Sequence, residues 1–161
     1  MKKLLFFIIL ASFTVFAFVR YGSRLQGFLP TSDGQRNIPL TNYRIIPTSI
    51  GINMYYLYVA DTEPLRVQGL SNVVRLKSEQ GMIFNFPNKD RHSFWMKDMR
   101  FNLDFIYLDN NEVVDVRENI SPNTYPAVIT PDKPCNNVIE LRAGEIQKSN
   151  IQIGDFINTS Q

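Results

Sequence analysis

The 161-residue sequence holds one cysteine, Cys135, one histidine, His92, and one tryptophan, Trp95. A lone cysteine excludes an internal disulfide framework, a four-cysteine zinc site and a Cys-x-x-Cys redox pair. A lone histidine in the charged stretch Lys89-Asp90-Arg91-His92, with no Gly-x-Ser-x-Gly motif elsewhere, makes a Ser-His-acid hydrolase a weak reading. Repeats and low-complexity blocks are missing, as are the long alternating helices that parallel β-α-β units need. Hydrophobic residues at 44% and charged residues at 20% exclude a collagen-like or wholly disordered chain, and the length suits one hydrophobic core.

Neither sign of charge dominates, since 17 basic groups against 15 acidic ones leave +2. The distribution is uneven, however. Residues 1–48 carry six basic groups and one acid, so residues 49–161 carry 11 basic and 14 acidic groups and a charge of −3. An acidic body does not favour nucleic acid as a partner.

One long apolar run is present. Leu4 to Val19 contains 16 residues without charge, between Met1-Lys2-Lys3 and Arg20-Tyr21. This exceeds the apolar part of most signal peptides, ~7–15 residues, and falls just short of a comfortable spanning helix, ~17–25 residues. Residues 1–21 are therefore read as a signal anchor or signal peptide, with a membrane as partner through residues 4–19. Residues 22–42 follow as a flexible tether, and residues 43–161 as a single β-domain. The expected location is the extracytoplasmic side, anchored in the membrane, or secreted if the segment is cleaved.

Short strands dominate the body. Asn53 to Val59 is rich in β-preferring residues, with Tyr56 and Tyr58 on one face and Leu57 and Val59 on the other. Asp61-Thr62-Glu63-Pro64 then offers a capping residue, an early acid and a first-turn proline, which predicts a short helix near 62–70. Further strands are expected at Met82 to Phe86, His92 to Lys97, Asn137 to Leu141 and Ile153 to Ile157, with a helical turn at Glu145 to Ser149. The turn formers Asp109-Asn110-Asn111-Glu112 join Leu103 to Leu108 and Val113 to Val116 as a hairpin. The expected fold class is all-β, a jelly-roll-like sandwich or barrel of about six to eight short antiparallel strands with one short helix and an N-terminal anchor helix.

The densest cluster of candidate functional residues is Phe94-Trp95-Met96-Lys97-Asp98, continuing to Phe101 and Leu103-Asp104. Taken with Arg66-x-x-Gly69-Leu70, Gly81-Met82-Ile83-Phe84-x-Phe86, Glu140-x-x-Ala143-Gly144 and Gly154-Asp155, it resembles the domain of unknown function (DUF) 192 family from about Met54 to Ile157. The resemblance implies a small all-β, jelly-roll-type fold, often behind a signal or anchor segment, and no established activity. The chain departs from that pattern at Ser71, at Asp98 and Met99, and at Asn102. An acid at position 98 lowers the charge beside Lys97 and weakens any anion site there.

Strand alternation places Trp95 and Lys97 on one face and Phe94 and Met96 on the other. The leading reading is a ligand- or partner-binding module of the cell envelope. Its site comprises Arg66, Trp95, Lys97, Asp98, Asp104 and Glu140, and its ligand is a glycan, small molecule or protein outside the cytoplasm. The alternative is a glycan-directed envelope hydrolase using Asp104 and Glu140 as a catalytic carboxylate pair. A weaker alternative places copper on the soft ligands His92, Met96, Met99 and Cys135. The run from Lys89 to Arg100 interleaves basic and aromatic residues, yet Asp90 and Asp98 halve its charge. No cofactor is called for.

Overall fold

The computed structural model describes residues 40–159; the expected anchor and most of the expected tether lie outside the described residues. Within the tether's last residues, Leu40–Asn42 forms a 3-10 turn, and Leu40 packs on the core.

Strands β1 (Arg44–Ile50) and β2 (Asn53–Ala60) form an antiparallel hairpin that buries Ile46, Ile50, Tyr55, Leu57 and Val59 on one face. Sequence reading missed β1 because Pro47 and Ser49 weaken its strand pattern; the strand pairs only with β2, and an edge tolerates proline. Helix α1 (Glu63–Gln68) follows with Pro64 in its first turn, and ends at Gly69, whose φ of 48° favours a residue without Cβ. Strand β3 (Gln80–Asp90) runs parallel to β2 and antiparallel to β8 (Cys135–Arg142). Then come β4 (Phe94–Trp95), β5 (Leu103–Asp109), β6 (Glu112–Ile120), β7 (Val128–Ile129), β8 and helix α2 (Glu145–Ser149).

The main sheet has the order β1-β2-β3-β8-β5-β6, and β4 and β7 form a two-stranded ribbon. The domain is thus all-β with eight short strands and short helices. Two parts of the expectation need correction. The sheet is open at β1 and β6, so it is not a barrel. One pair, β2 with β3, is parallel, because residues 61–79 supply a crossover long enough to return the chain in the same direction.

Both faces of the central strands are covered. On one, Leu70, Val73, Leu76, Phe94, Met96 and Ile129 pack over Met82, Phe84, Phe105 and Tyr107. On the other, Ile146, Ile151 and Ile157 close over Ile83, Ile106, Ile139 and Leu141. Two-sided burial explains why β5 reads as a nearly continuous apolar run. The expected strand over 153–157 is reduced to a single bridge, Glu112 with Phe156, because Gly154 turns at a φ of 96°. The strand expected over 92–97 shrinks to β4, since Met99 N–H donates back to Met96 O and Asp98 adopts a φ of 58°.

Asp104 on β5 fastens this architecture. Its Oδ1 accepts Asn119 N–H at 2.8 Å, and its Oδ2 accepts Gly144 N–H at 2.9 Å and Ile146 N–H at 3.0 Å. Asp104→Asn turns one acceptor oxygen into a donor facing backbone N–H groups. It is expected to cost about 2–3 kcal/mol in urea denaturation, with the m-value unchanged.

Candidate functional site

Strand β4 presents its two residues to opposite sides. Phe94 turns inward, its ring centroid 5.0 Å from Phe84, 5.6 Å from Phe105 and 6.4 Å from Tyr107. Trp95 turns outward and stays 51% exposed. Tyr125 meets its ring edge-on at 6.3 Å, and Lys97 Nζ stands 5.5 Å from its centroid. The expected parity therefore holds, with Trp95 and Lys97 exposed and Met96 buried. Beside Trp95 lies a hollow of about 220 Å³, walled by Glu63, Arg66 and Val67 of α1, Phe84 and Phe86 of β3, and Ser93 with Phe94 and Trp95.

Arg66 braces this hollow. Its Nη1 donates to Asp61 O and Asn85 O, each at 2.8 Å, its Nη2 donates to Glu63 Oε2 at 3.0 Å, and its guanidinium lies 5.4 Å from the Phe86 ring centroid. These contacts tie α1 to β3. Asp98 sits at the turn after Lys97 with its side chain exposed, and its carbonyl accepts Asn72 N–H at 2.9 Å. At the departure from the family pattern, Ser71 Oγ donates to Lys97 O at 3.2 Å, so the loop after α1 is fastened to the segment carrying Trp95.

The two proposed catalytic carboxylates are not brought together. Asp104 pairs with Leu141 and Phe105 with Glu140, so Asp104 faces the Leu141 and Ile146 side while Glu140 faces the Met82 and Phe105 side. The sheet separates them. Asp104 is also fully engaged by backbone N–H groups, whereas Glu140 is buried with desolvation alone acting on its carboxyl, which pushes its pKa up to about 8. Tyr107 shares that face, and its hydroxyl is buried without a hydrogen-bond partner among the described residues. Burial raises its pKa, with the Glu140 charge as the next cause. Tyr43 Oη, which donates to Leu65 O at 3.3 Å, is raised by burial and by Glu140 in the same order. Sequence reading missed Tyr107, because an alternating Tyr in a strand does not announce that its hydroxyl points into a core.

Three residues of the copper alternative, Met96, Met99 and Cys135, meet in one apolar core cluster. His92 stacks on Phe86 at 3.6 Å, with Nε2 2.9 Å from Asn88 O. Cys135 Sγ donates to Asp90 O at 3.6 Å, and burial raises its pKa. Met96 is buried in the core, and Met99 packs against it. The basic run is dispersed: Lys89 pairs with Asp109, Arg91 Nε donates to Pro131 O at 2.7 Å and Arg100 Nη2 to Asn72 Oδ1 at 3.4 Å.

The raised Glu140 pKa fixes a sign for pH dependence. The folded state holds the proton more tightly than the unfolded state, whose carboxyl titrates near the ordinary 4.5. Stability from this group is therefore complete below that value and falls as pH rises towards about 8. Denaturation series across this window are expected to show a decline on the order of a few kcal/mol, which Glu140→Gln flattens.

Two solved structures are similar to this chain. One, described as a "putative transcription regulator" from Sinorhizobium meliloti, has a TM-score of 0.67 at 24% identity, covering 72% of this chain and 94% of its own. The other, a protein of unknown function from Novosphingobium aromaticivorans, has a TM-score of 0.68 at 25% identity, covering 76% of this chain and 91% of its own. No curated protein matches the chain.

These findings correct the expected location and partner. Neither description names a membrane or an envelope role, and no helix among the described residues is long and apolar enough to cross a membrane. The expectation of a signal-anchored transmembrane or secreted extracytoplasmic protein, acting as an envelope binding module or glycan hydrolase with a membrane partner through residues 4–19, is overturned. The apolar run that carried it lies outside the described residues. A family model for uncharacterised proteins matches residues 47–159, and the chain belongs to that family, DUF192.

Proposed function

We propose that residues 43–161 form a small-ligand-binding module whose site is the hollow beside Trp95. The observation that carries this reading is the exposure of the sole tryptophan, 51%, on the wall of a concave, aromatic-lined space. A large aromatic ring left half in water costs hydrophobic burial that a ligand recovers. Val67 and Val128 extend the exposed apolar surface on either side of Trp95. Lys97, held over the indole and paired with no carboxylate among the described residues, supplies a movable charged group at the rim. Arg66 and Glu63 serve as a brace: Arg66 is bound to two backbone carbonyls and to Glu63, so it shapes the wall more than it reaches a ligand.

Size limits the ligand. A volume of about 220 Å³ is below the ~300–1,000 Å³ of drug-sized sites, so the hollow suits one ring or a comparably compact group. The two-sheet packing is read here as a jelly-roll-like sandwich with β4 and β7 as its short second layer. Asp104 plays no part in binding on this reading, since its carboxylate is spent on the turn at α2. The regulator description remains a statement about the Sinorhizobium chain; at 24% identity the likeness carries only the fold.

Trp95 is its own reporter. Titration with single-ring compounds is expected to shift its fluorescence, and Trp95→Ala, followed by amide chemical shifts, is expected to weaken binding at least tenfold. Binding of the same compounds to the Ala variant with unchanged affinity would remove the hollow as the site.

A further inference from the structure

The most anomalous polar groups lie on the sheet face against which Phe94 packs. Glu140 and Tyr107 occupy one face of the main sheet on adjacent strands: Glu140 stands opposite Phe105, and Tyr107 stands opposite Val138. They are therefore diagonal neighbours, a separation that long side chains span. The Tyr107 hydroxyl is buried with no partner among the described residues, and desolvation by burial is what shifts the Glu140 carboxyl. Native interiors rarely leave such groups unpaired, because each costs about 1–3 kcal/mol in lost solvation.

Phe94 connects this pair to the surface. One side of its ring lines the hollow, and its inner contacts include Phe105 and Tyr107 themselves. Its strand is only two residues long and belongs to the two-stranded ribbon, not to the main sheet. A rotation of Phe94 would extend the hollow inward to the polar pair.

We propose that Glu140 and Tyr107 form the inner, polar end of the ligand site, and that the ligand is a compact aromatic molecule with a neutral head group that both donates and accepts hydrogen bonds. The inference rests on the hollow beside Trp95 being a ligand site and names the ligand class it takes. A carboxylic acid and a phenol each offer a donor and an acceptor, so an alcohol or a primary carboxamide satisfies both. A cationic or anionic head would carry a charge into an interior that already holds Glu140 in its neutral form at neutral pH. The ring of the ligand would rest against Trp95 and Phe94, and its head would meet the two buried polar groups. Such a site discriminates by hydrogen bonding, since an analogue without the head leaves both protein groups orphaned.

The test uses the full chain and five one-ring probes: benzyl alcohol, benzamide, benzylamine, benzoate and toluene. Affinities come from amide chemical shifts and Trp95 fluorescence below the Glu140 transition. Benzyl alcohol and benzamide are expected to bind tightest, at least about fivefold better than toluene, the worth of one neutral hydrogen bond. Their affinity is expected to fall once pH exceeds about 8, where Glu140 loses its donor. Glu140→Gln keeps a donor and an acceptor and is expected to retain binding without the pH dependence. Tyr107→Phe and Glu140→Leu, checked for folding by amide dispersion, are each expected to lose about fivefold or more. Tightest binding of benzylamine or benzoate overturns the neutral-head assignment. Equal binding of all probes, unaffected by Tyr107→Phe and Glu140→Leu but abolished by Trp95→Ala, overturns the inner site and leaves the hollow standing. Binding that survives Trp95→Ala removes the hollow, and the inner site with it.

Discussion

Register at β5 is the constraint on which the rest of the domain depends. Asp104 takes a backbone N–H from β6 and two from the turn into α2, so one carboxylate sets where both neighbours of β5 lie along it. In a sheet whose side chains alternate, a slip of one residue transfers every group to the other face. With Asp104 fastened on the Leu141 side, Phe105 and Tyr107 must face the other way, beside Glu140 and under Phe94. The buried acid and phenol are thus a consequence of a well-satisfied acid one residue away. The contrast between the two carboxylates is instructive. Three backbone donors meet the Asp104 carboxylate inside the fold, whereas burial alone acts on Glu140 and pushes its carboxyl up to about 8.

That expense is unevenly distributed. The face closed by Ile146, Ile151 and Ile157 is dominated by branched aliphatic residues, and its buried Glu145 is met by Tyr55 Oη at 2.8 Å and Lys148 Nζ at 3.1 Å. Its polar groups are largely settled, with Thr48 Oγ1 as the exception. The face under α1 and the β4–β7 ribbon holds rings and methionines instead, together with the buried Glu140 and Tyr107. Each face thus holds one buried polar atom without a partner, and the face under the ribbon adds the Glu140 carboxyl, on which burial alone acts.

How much of this was legible in the sequence depends on the range of the interaction involved. The hairpin at Asp109 to Glu112 and the helix after Thr62 announce themselves through neighbouring residues, and both are present. The opposite orientation of Trp95 and Phe94 follows from alternation within two residues, and it holds although the strand is shorter than expected. The relation between Asp104 and Glu140 has no such local signature. Their relative face is fixed by the pairing of β5 with β8, residues 36 positions apart, and by no spacing that can be counted along the chain. The parallel pairing of β2 with β3 was hidden for the same reason, since nothing in either strand records which edge the crossover returns to. At β1 the obstacle was chemical: Pro47 reads as a breaker until the strand is known to be an edge.

The position of Phe94 decides whether surface and interior act separately. Were Trp95 and Lys97 mounted on a long strand of the main sheet, the residues between them would be locked by hydrogen bonds on both sides, and the hollow would end at a fixed wall. Trp95 is mounted instead on a ribbon of two-residue strands and Lys97 in the turn after it, joined to the loop after α1 through Ser71 and Asn72. Few ladder bonds resist its displacement, and local opening follows the number of such bonds. The ring that packs on Phe105 and Tyr107 is therefore carried by a two-residue strand, while Tyr107 and Glu140 sit on central strands of the main sheet. In the proposed ligand site, that arrangement keeps the polar pair fixed and makes access to it the variable quantity.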